Sequence, residues 1–217
     1  MKKSLSETNT RLTEMEKSFS CSSQRQDLFD SRLQALEVCS SQDTELITQI
    51  QNLENKIQYM EQQARRNNLE ISGIPEKSNE DLSLYLRNIT NFLGVELSST
   101  DIVQITRIRP FNAVSGRPKA IVVKLSYQLL RDTILSAVRT KKELKLCDIG
   151  FRGEMKKIYL NEHLTPANKI LYKSTREKAK VAQYKFVWIR DGKIFVRKND
   201  ISRSLCIKNS VDLQKVI

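Results

Sequence analysis

Reading every seventh residue from Leu5 gives Leu5, Leu12, Phe19, Gln26, Leu33, Ser40 and Ile47, with Met15, Phe29, Leu36, Ile50, Ile57 and Ala64 at the companion positions. This 3-4 spacing predicts one long helix with a narrow apolar stripe, and neither Gly nor Pro interrupts the chain before Gly73. Polar residues Ser22, Gln26, Ser40 and Asp43 fall on the seam. Beyond residue 43 a shifted frame of Leu46, Ile50, Leu53, Ile57, Met60 and Ala64 fits better, a stutter or stammer that changes supercoiling without ending a helix. The stripe is too narrow to cover a globular core. Residues 1–66 are therefore expected to form a coiled coil that self-associates through Leu5, Leu12, Leu33, Leu36, Ile50, Leu53, Ile57 and Met60. Trimer and dimer both remain open. The alternative is a long amphipathic helix folded back on its own domain.

After Gly73 and Pro75 the pattern alternates between period 2 and period 3.6. "NLEIS" is a short strand. "NEDLSLYLRNITNFLGV" sets Leu82, Tyr85, Leu86, Ile89, Phe92 and Leu93 on one helical face, with Asn79 as the expected N-cap and Gly94 past the last turn. "DIVQITRIRP" and "PKAIVVKLS" read as antiparallel strands around a Gly- and Pro-containing loop that crowds Arg107, Arg109, Arg117 and Lys119 at one end. A second helix, "YQLLRDTILSAVRTKK", is expected to start from Ser126 as N-cap, with Tyr127, Leu130, Ile134, Ala137 and Val138 on one face. The strand "KKIYLNEHL" completes β-α-β-β-α-β over residues 67–163, the order of the split unit used by RNA-recognition-motif domains. Its first and third strands carry no aromatic residue, so bases cannot stack on them as such domains usually allow.

Residues 164–217 open with Thr165 as N-cap and Pro166 at the first helical position. At 100° per residue Lys169, Lys173, Arg176 and Lys180 form a cationic stripe, with Ala167, Ile170, Leu171, Val181 and Ala182 expected on the packed side. "YKFVWIRDGKIFVRK" is a hairpin turning at Asp191-Gly192. Its register puts Val187, Ile189, Ile194 and Val196 on one face, and Tyr184, Phe186, Trp188 and Phe195 with Arg190, Lys193 and Arg197 on the other. Aromatic rings interleaved with cations suit single-stranded nucleic acid. The competing expectation is that this face packs on the preceding helix. The whole is an α+β chain: an N-terminal coiled-coil helix, a β-α-β-β-α-β domain and a small basic α/β C-terminal domain with a hairpin.

The net charge of +12 sharpens this picture through its distribution. Residues 1–66 hold nine Lys/Arg against ten Asp/Glu, whereas residues 104–217 hold 26 against nine. A basic excess confined to the second half points to a polyanion, nucleic acid or an anionic surface. Cys21, Cys39, Cys147 and Cys206 form no CxxC pair and His163 is the lone histidine, so no metal set and no cofactor is expected, and the thiols read as reduced. No run approaches the roughly 20 apolar residues of a membrane span, and the start lacks a secretory signal, so the expected location is intracellular, cytoplasmic or nuclear. Neither a GxxxxGKS loop nor GxSxG is present, and no enzymatic activity is expected.

The stretches "RRNNLEISGIPE" and "RPKAIVVKLSYQLLRDTILSAVRTK" resemble the RNA-binding first-reading-frame protein of LINE-type retrotransposons. The run from "KKIYLNEHLTP" to "IFVRK" is similar to the C-terminal domain of the baculovirus few-polyhedra protein. The first resemblance implies a coiled-coil oligomer with an RNA-recognition-like middle domain and a basic C-terminal domain. Such a protein binds single-stranded RNA or DNA, RNA favoured, in packaging or as a chaperone. It implies that Arg65, Arg66, Arg117 and Lys119 contact the nucleic-acid backbone. The second implies instead a viral accessory or structural adaptor affecting envelope-protein traffic and occlusion.

Overall fold

The helix that the heptad pattern predicts runs without interruption from Lys2 to Ala64 (α1, Lys2–Ala64). The computed structural model describes residues 2–109, 118–141, 143–151 and 153–216, and within α1 the side chains of residues 11–34, 36 and 45–64. Arg117 and the side chain of Leu5 lie outside the described residues. The chain divides into two compact units, Met1–Lys56 and Ile57–Ile217. In the first, every described residue is helical, and Leu12, Met15, Phe19, Leu33, Leu36, Ile50 and Leu53 of the stripe are all exposed.

The second unit starts with the last turns of α1, which end in a turn where Arg65 and Arg66 donate their amides to the Gln62 and Gln63 carbonyls. Four strands follow: β1 (Asn68–Ser72), β2 (Ile102–Ile108), β3 (Ala120–Leu125) and β4 (Tyr159–Glu162). They form one antiparallel sheet in the order β2-β3-β1-β4. Two helices, α2 (Leu82–Leu93) and α3 (Gln128–Lys141), complete a β-α-β-β-α-β succession. Alternate strand residues Leu69, Ile71, Ile121, Val123, Leu125 and Leu160 build one core with Leu86, Ile89, Leu93, Leu130 and Ile134 of the helices. Each such buried aliphatic side chain contributes roughly 1.5–3 kcal/mol of transfer free energy. The opposite face carries Glu70 paired with Val122 and Asn161, and Thr106 paired with Val122.

Two caps differ from expectation. Asn79 stands in a turn at φ +57°, and Asp81 caps α2 by accepting from the amides of Ser83 (2.9 Å) and Leu84 (3.1 Å). Asp81 is the acid directly preceding the helix, and its extended backbone presents the carboxylate to those amides. Ser126 does not cap α3; its hydroxyl donates to the Thr100 carbonyl at 3.0 Å, pinning the loop before β2. Tyr127, expected on the packed face of α3, is exposed.

Past β4 come α4 (Pro166–Val181), the strands β5 (Phe186–Arg190), β6 (Lys193–Arg197) and β7 (Leu205–Ile207), and a closing 3-10 turn, Asp212–Lys215. The strands form an antiparallel sheet in the order β5-β6-β7. Ala179, Ile194, Val196, Ile207 and Val216 make its small core. The packed side of α4 is the expected one only in part, at Leu171 and Ala182. Ile170 and Val181 are 66% and 84% exposed, and the helix instead buries Thr175 and Ala179, with Leu171, Tyr172 and Ala182 packed alongside. Thr175 can be buried because its hydroxyl donates to the Leu171 carbonyl one turn back, at 2.7 Å.

So small a core leans on its neighbours. Gln62, buried in the last turn of α1, accepts from the Thr165 amide (3.0 Å) and from Asn168 Nδ2 (2.9 Å), and donates to the His163 carbonyl (3.1 Å). Glu162, at the end of β4, accepts the amides of Asp191 (3.1 Å) and Gly192 (2.7 Å) at the tip of the β5-β6 hairpin. Arg131 of α3 is 1% exposed. It donates to the Arg66 carbonyl, to Asp132 (2.5 Å) and to Asp191 (3.3 Å), and lies 3.7 Å from Glu162.

Candidate nucleic-acid interface

The Asp191-Gly192 turn takes positive φ at both positions, +52° and +69°, the geometry that matches the twist of a two-residue hairpin. The register that follows pairs Val187 with Val196, Trp188 with Phe195, Ile189 with Ile194, Arg190 with Lys193 and Phe186 with Arg197. Ile194 and Val196 therefore enter the core, and the other face displays rings. Trp188 and Phe195 stack with centroids 5.6 Å apart at 16°. The Arg197 guanidinium lies 4.6 Å over the Phe186 ring and the Lys185 ammonium 5.0 Å from it. Arg190 and Lys193 are exposed at the tip, and a shallow depression joins Lys185, Phe186, Trp188 and Arg197. Tyr184 stands apart from this group, since it packs against the core of the small sheet, with Lys198 5.7 Å over its ring.

Behind Trp188 a cleft of about 390 Å³ opens between α3 and β5. It continues into a second of about 440 Å³ that shares Leu135, Arg139, Glu162, Trp188 and Ile189 with the first. Tyr172 and Asn161 line the second part, and Arg176 stands 5.9 Å over the Tyr172 ring. Arg190 and Arg139 line the first part, with Asp132 and Asp191 already held by Arg131. The walls are the Trp188 indole, the Tyr172 phenol, the aliphatic side chains of Leu135, Val138, Leu160, Val187 and Ile189, the guanidinium groups of Arg139 and Arg190, Asn161, and the carboxylates of Asp132, Glu162 and Asp191, a lining that offers a planar ring an apolar surface with cations beside it. Arg139, Asn161 and Tyr172 are absent from the sequence-based candidates. Nothing in their local spacing marks them, because only the meeting of α3, β4, α4 and β5 makes them neighbours.

The other candidate cations separate into two groups. Lys173, Arg176 and Lys180 are exposed along α4, and no ion pair engages Lys173 or Lys180 among the described residues, while Lys169 meets Glu70 at 2.7 Å. Arg66 and Arg109 are exposed. Arg65 is held by Glu61, through its carbonyl at 2.8 Å and its carboxylate at 3.8 Å.

Arg107 faces inward. Its five N–H donors go to Glu80 (2.5 and 2.6 Å) and to the carbonyls of Ile74 (3.1 Å), Pro75 (2.9 Å) and Lys119 (2.6 Å). The guanidinium holds the Glu80 carboxyl below its ordinary range. Lys119 is bound by Glu76 through both its amide and its ammonium at 3.0 Å, and those hydrogen bonds, the amide first, lower the Glu76 pKa. These two residues brace the base of the β2-β3 loop, with their charges already matched.

Residues 165–217 match the family model described as Baculovirus FP protein domain 2. That span holds α4, the hairpin and the tail strand. No curated protein matches the chain. Among the described residues, no helix is long and apolar enough to cross a membrane.

Proposed function

We propose that the chain is a non-enzymatic, self-associating protein that binds single-stranded nucleic acid, RNA in preference, through the hairpin face and the cleft behind it. The observation that carries this reading is the Trp188–Phe195 stack flanked by Arg197 over Phe186, with Arg190 and Arg139 at the adjoining cleft. An aromatic plane offers every base a surface, and the surrounding cations neutralise phosphates without reading sequence. The β-α-β-β-α-β succession with strand order β2-β3-β1-β4 is that of the ferredoxin-like split unit. It supports an RNA-recognition-motif-like domain at residues 67–163, placed between a coiled coil and a basic C-terminal domain, as in the LINE-type resemblance. The protein works inside the cell, in packaging or as a chaperone of its nucleic acid.

A second reading has its own support. The family-model match over residues 165–217 favours a viral accessory protein of few-polyhedra type, and the exposed Ile170 and Val181 beside the cations of α4 give such an adaptor a surface. The two are separated by titrating the full chain with single-stranded RNA, read through the lone tryptophan, and by flotation with anionic vesicles. Salt-sensitive quenching of Trp188 by RNA is the expected outcome. Vesicle association with no response to RNA would replace the first reading with the second.

A further inference from the structure

The β5-β6 hairpin has two ends. At its tip the amides of Asp191 and Gly192 are docked on Glu162. At the other end the Lys185 amide donates to the Lys198 carbonyl at 3.1 Å, and the last turn of α4 and the loop between β6 and β7 meet there. The Tyr184 amide donates to the Ala179 carbonyl at 2.8 Å, Lys185 Nζ lies 2.5 Å from Asp200, and Lys198 Nζ stands 5.7 Å over the Tyr184 ring. Val181 and Ile201 belong to this end. They are 84% and 96% exposed, the two most exposed large apolar side chains among the described residues. Both are held in place: Val181 is the last residue of α4, and Ile201 sits in a turn where Asn199 Oδ1 accepts its amide (3.1 Å) and that of Ser202 (2.7 Å). One aliphatic side chain in water needs no explanation. Two at one end, among cations, describe a surface. Residues 177–185 and 197–203 hold six Lys/Arg against Glu177 and Asp200, and Asp200 is already matched by Lys185 at 2.5 Å and Arg197 at 3.8 Å. Lys180 and Arg203 are exposed, and no ion pair engages either among the described residues.

We propose that this end of the C-terminal domain seats on a bilayer of anionic phospholipid, with Ile201 and Val181 entering the headgroup layer and Lys180, Lys198 and Arg203 meeting the lipid anions. The charge excess selects a negative partner, and the aliphatic residues select which one. A nucleic-acid strand would use the cations and leave Ile201 and Val181 in water. A bilayer interface takes both kinds of group at once: the aliphatic side chains insert, while Lys and Arg lay their stems along the acyl boundary and keep their charges at the headgroups. Here each aliphatic residue has a cation close by in the chain, Lys180 before Val181 and Arg203 after Ile201. The contact does not depend on the nucleic-acid reading. It uses neither Trp188 and Phe195 nor the cleft, so lipid and nucleic acid are not rivals for one site. It also differs from a contact along the flank of α4, because Ile170, near the start of that helix, takes no part.

Flotation of the full chain with vesicles of equimolar phosphatidylcholine and phosphatidylserine, compared with phosphatidylcholine alone, tests this. The chain is expected to float with the first and not with the second; no flotation with the first, or equal flotation with both, overturns the proposal. Ile201→Ser and Val181→Ser should each lower the vesicle partition coefficient about ten-fold, and Ile201→Leu should keep it. Arg203→Ala should lower it about five-fold at low salt. An unchanged coefficient in Ile201→Ser overturns the proposal. Ile170→Ser is the control and should change nothing; a loss equal to that of Val181→Ser would move the contact to the flank of α4 and overturn its assignment to the end. The Trp188 titration with RNA should be the same for Ile201→Ser as for the parent, and weakened binding would make Ile201 part of a nucleic-acid face instead. If flotation follows this pattern while RNA leaves Trp188 unquenched, the nucleic-acid reading fails and the lipid contact stands.

Discussion

Gln62 Oε1 and the amide of Thr165 are 3.0 Å apart across 103 positions of sequence, one at the end of α1 and the other at the N-cap of α4. The bond puts a helix terminus and a helix start under one side-chain amide, which also holds Asn168 and the His163 carbonyl. Replacing Gln62 by Ala leaves the Thr165 amide without its partner in a buried place. A loss of about 1–3 kcal/mol of unfolding free energy is expected by urea denaturation, and Gln62→Glu should also be destabilising, since it keeps the acceptor but loses the donor to the His163 carbonyl and buries a charge.

The same side chain makes Gly192 irreplaceable by a larger residue. A Cβ there would stand 2.5 Å from Gln62 Cγ, and the backbone φ of +69° already disfavours any other residue. Gly192→Ala should therefore lower stability, and the Gly192→Ala/Gln62→Ala pair should be less destabilised than the sum of its singles. A double-mutant cycle reads that coupling directly.

Trp188→Ala should weaken binding to single-stranded RNA by roughly 1–3 kcal/mol, the worth of one stacking plane, with the fold intact by circular dichroism. Arg197→Ala should also weaken it, by removing the cation over Phe186. Arg107→Ala behaves in the opposite way. It should destabilise the fold by about 3–5 kcal/mol, because Glu80 is left without its partner, and any loss of binding should follow from unfolding.

His163 is half-buried, its Nδ1 3.2 Å from Asn68 Nδ2, and burial lowers its pKa from the ordinary value of 6.5. The unfolded chain therefore binds the proton more readily than the folded one. The stability this group contributes is full above pH 6.5 and falls as pH drops from there through the lowered folded value, below which it stays constant. The melting temperature should decline across that window, and His163→Gln should flatten it. The decline from Glu76, Glu80, Glu143 and Asp212, whose pKa values are also lowered, lies below their ordinary 4.5 and 3.8 and so remains in the variant.

Removing residues 1–56 leaves the second compact unit entire. The shortened chain should bind a short oligonucleotide as the parent does, yet bind a long strand more weakly. Linked heads gain on the order of 10² to 10⁴ in avidity when one strand reaches more than one of them. Titrations of both chains on both lengths check this. Equal affinities on the long strand would show that the helix contributes nothing to binding.

The helix and the hairpin could be read in the sequence because each is written locally, the first in a repeat without Gly or Pro, the second in Asp191-Gly192 between alternating residues. The packed side of α4 could be read only in part, at Leu171 and Ala182. Hydrophobicity points to Ile170 and Val181, whereas the small core took Thr175, whose hydroxyl is satisfied within its own helix, and left both aliphatic residues in water. Arg107 looked like one more cation at a basic loop because its partner Glu80 lies 27 positions away, before β2. The cleft was hidden for a related reason. Arg139, Asn161, Tyr172 and Trp188 come from four elements, and only the grip of Arg131 and Glu162 on the hairpin tip brings them to one place.

That grip has a thermodynamic consequence for whatever the rings receive. With the amides of Asp191 and Gly192 fixed on the Glu162 carboxylate, the hairpin cannot slide in register, and the parallel planes of Trp188 and Phe195 are set before any partner arrives. The rotamers that an open hairpin would have to freeze on contact are already frozen by folding. Association then loses less conformational entropy, so loosening the tip through Glu162→Gln should make binding more costly in entropy while every ring contact survives.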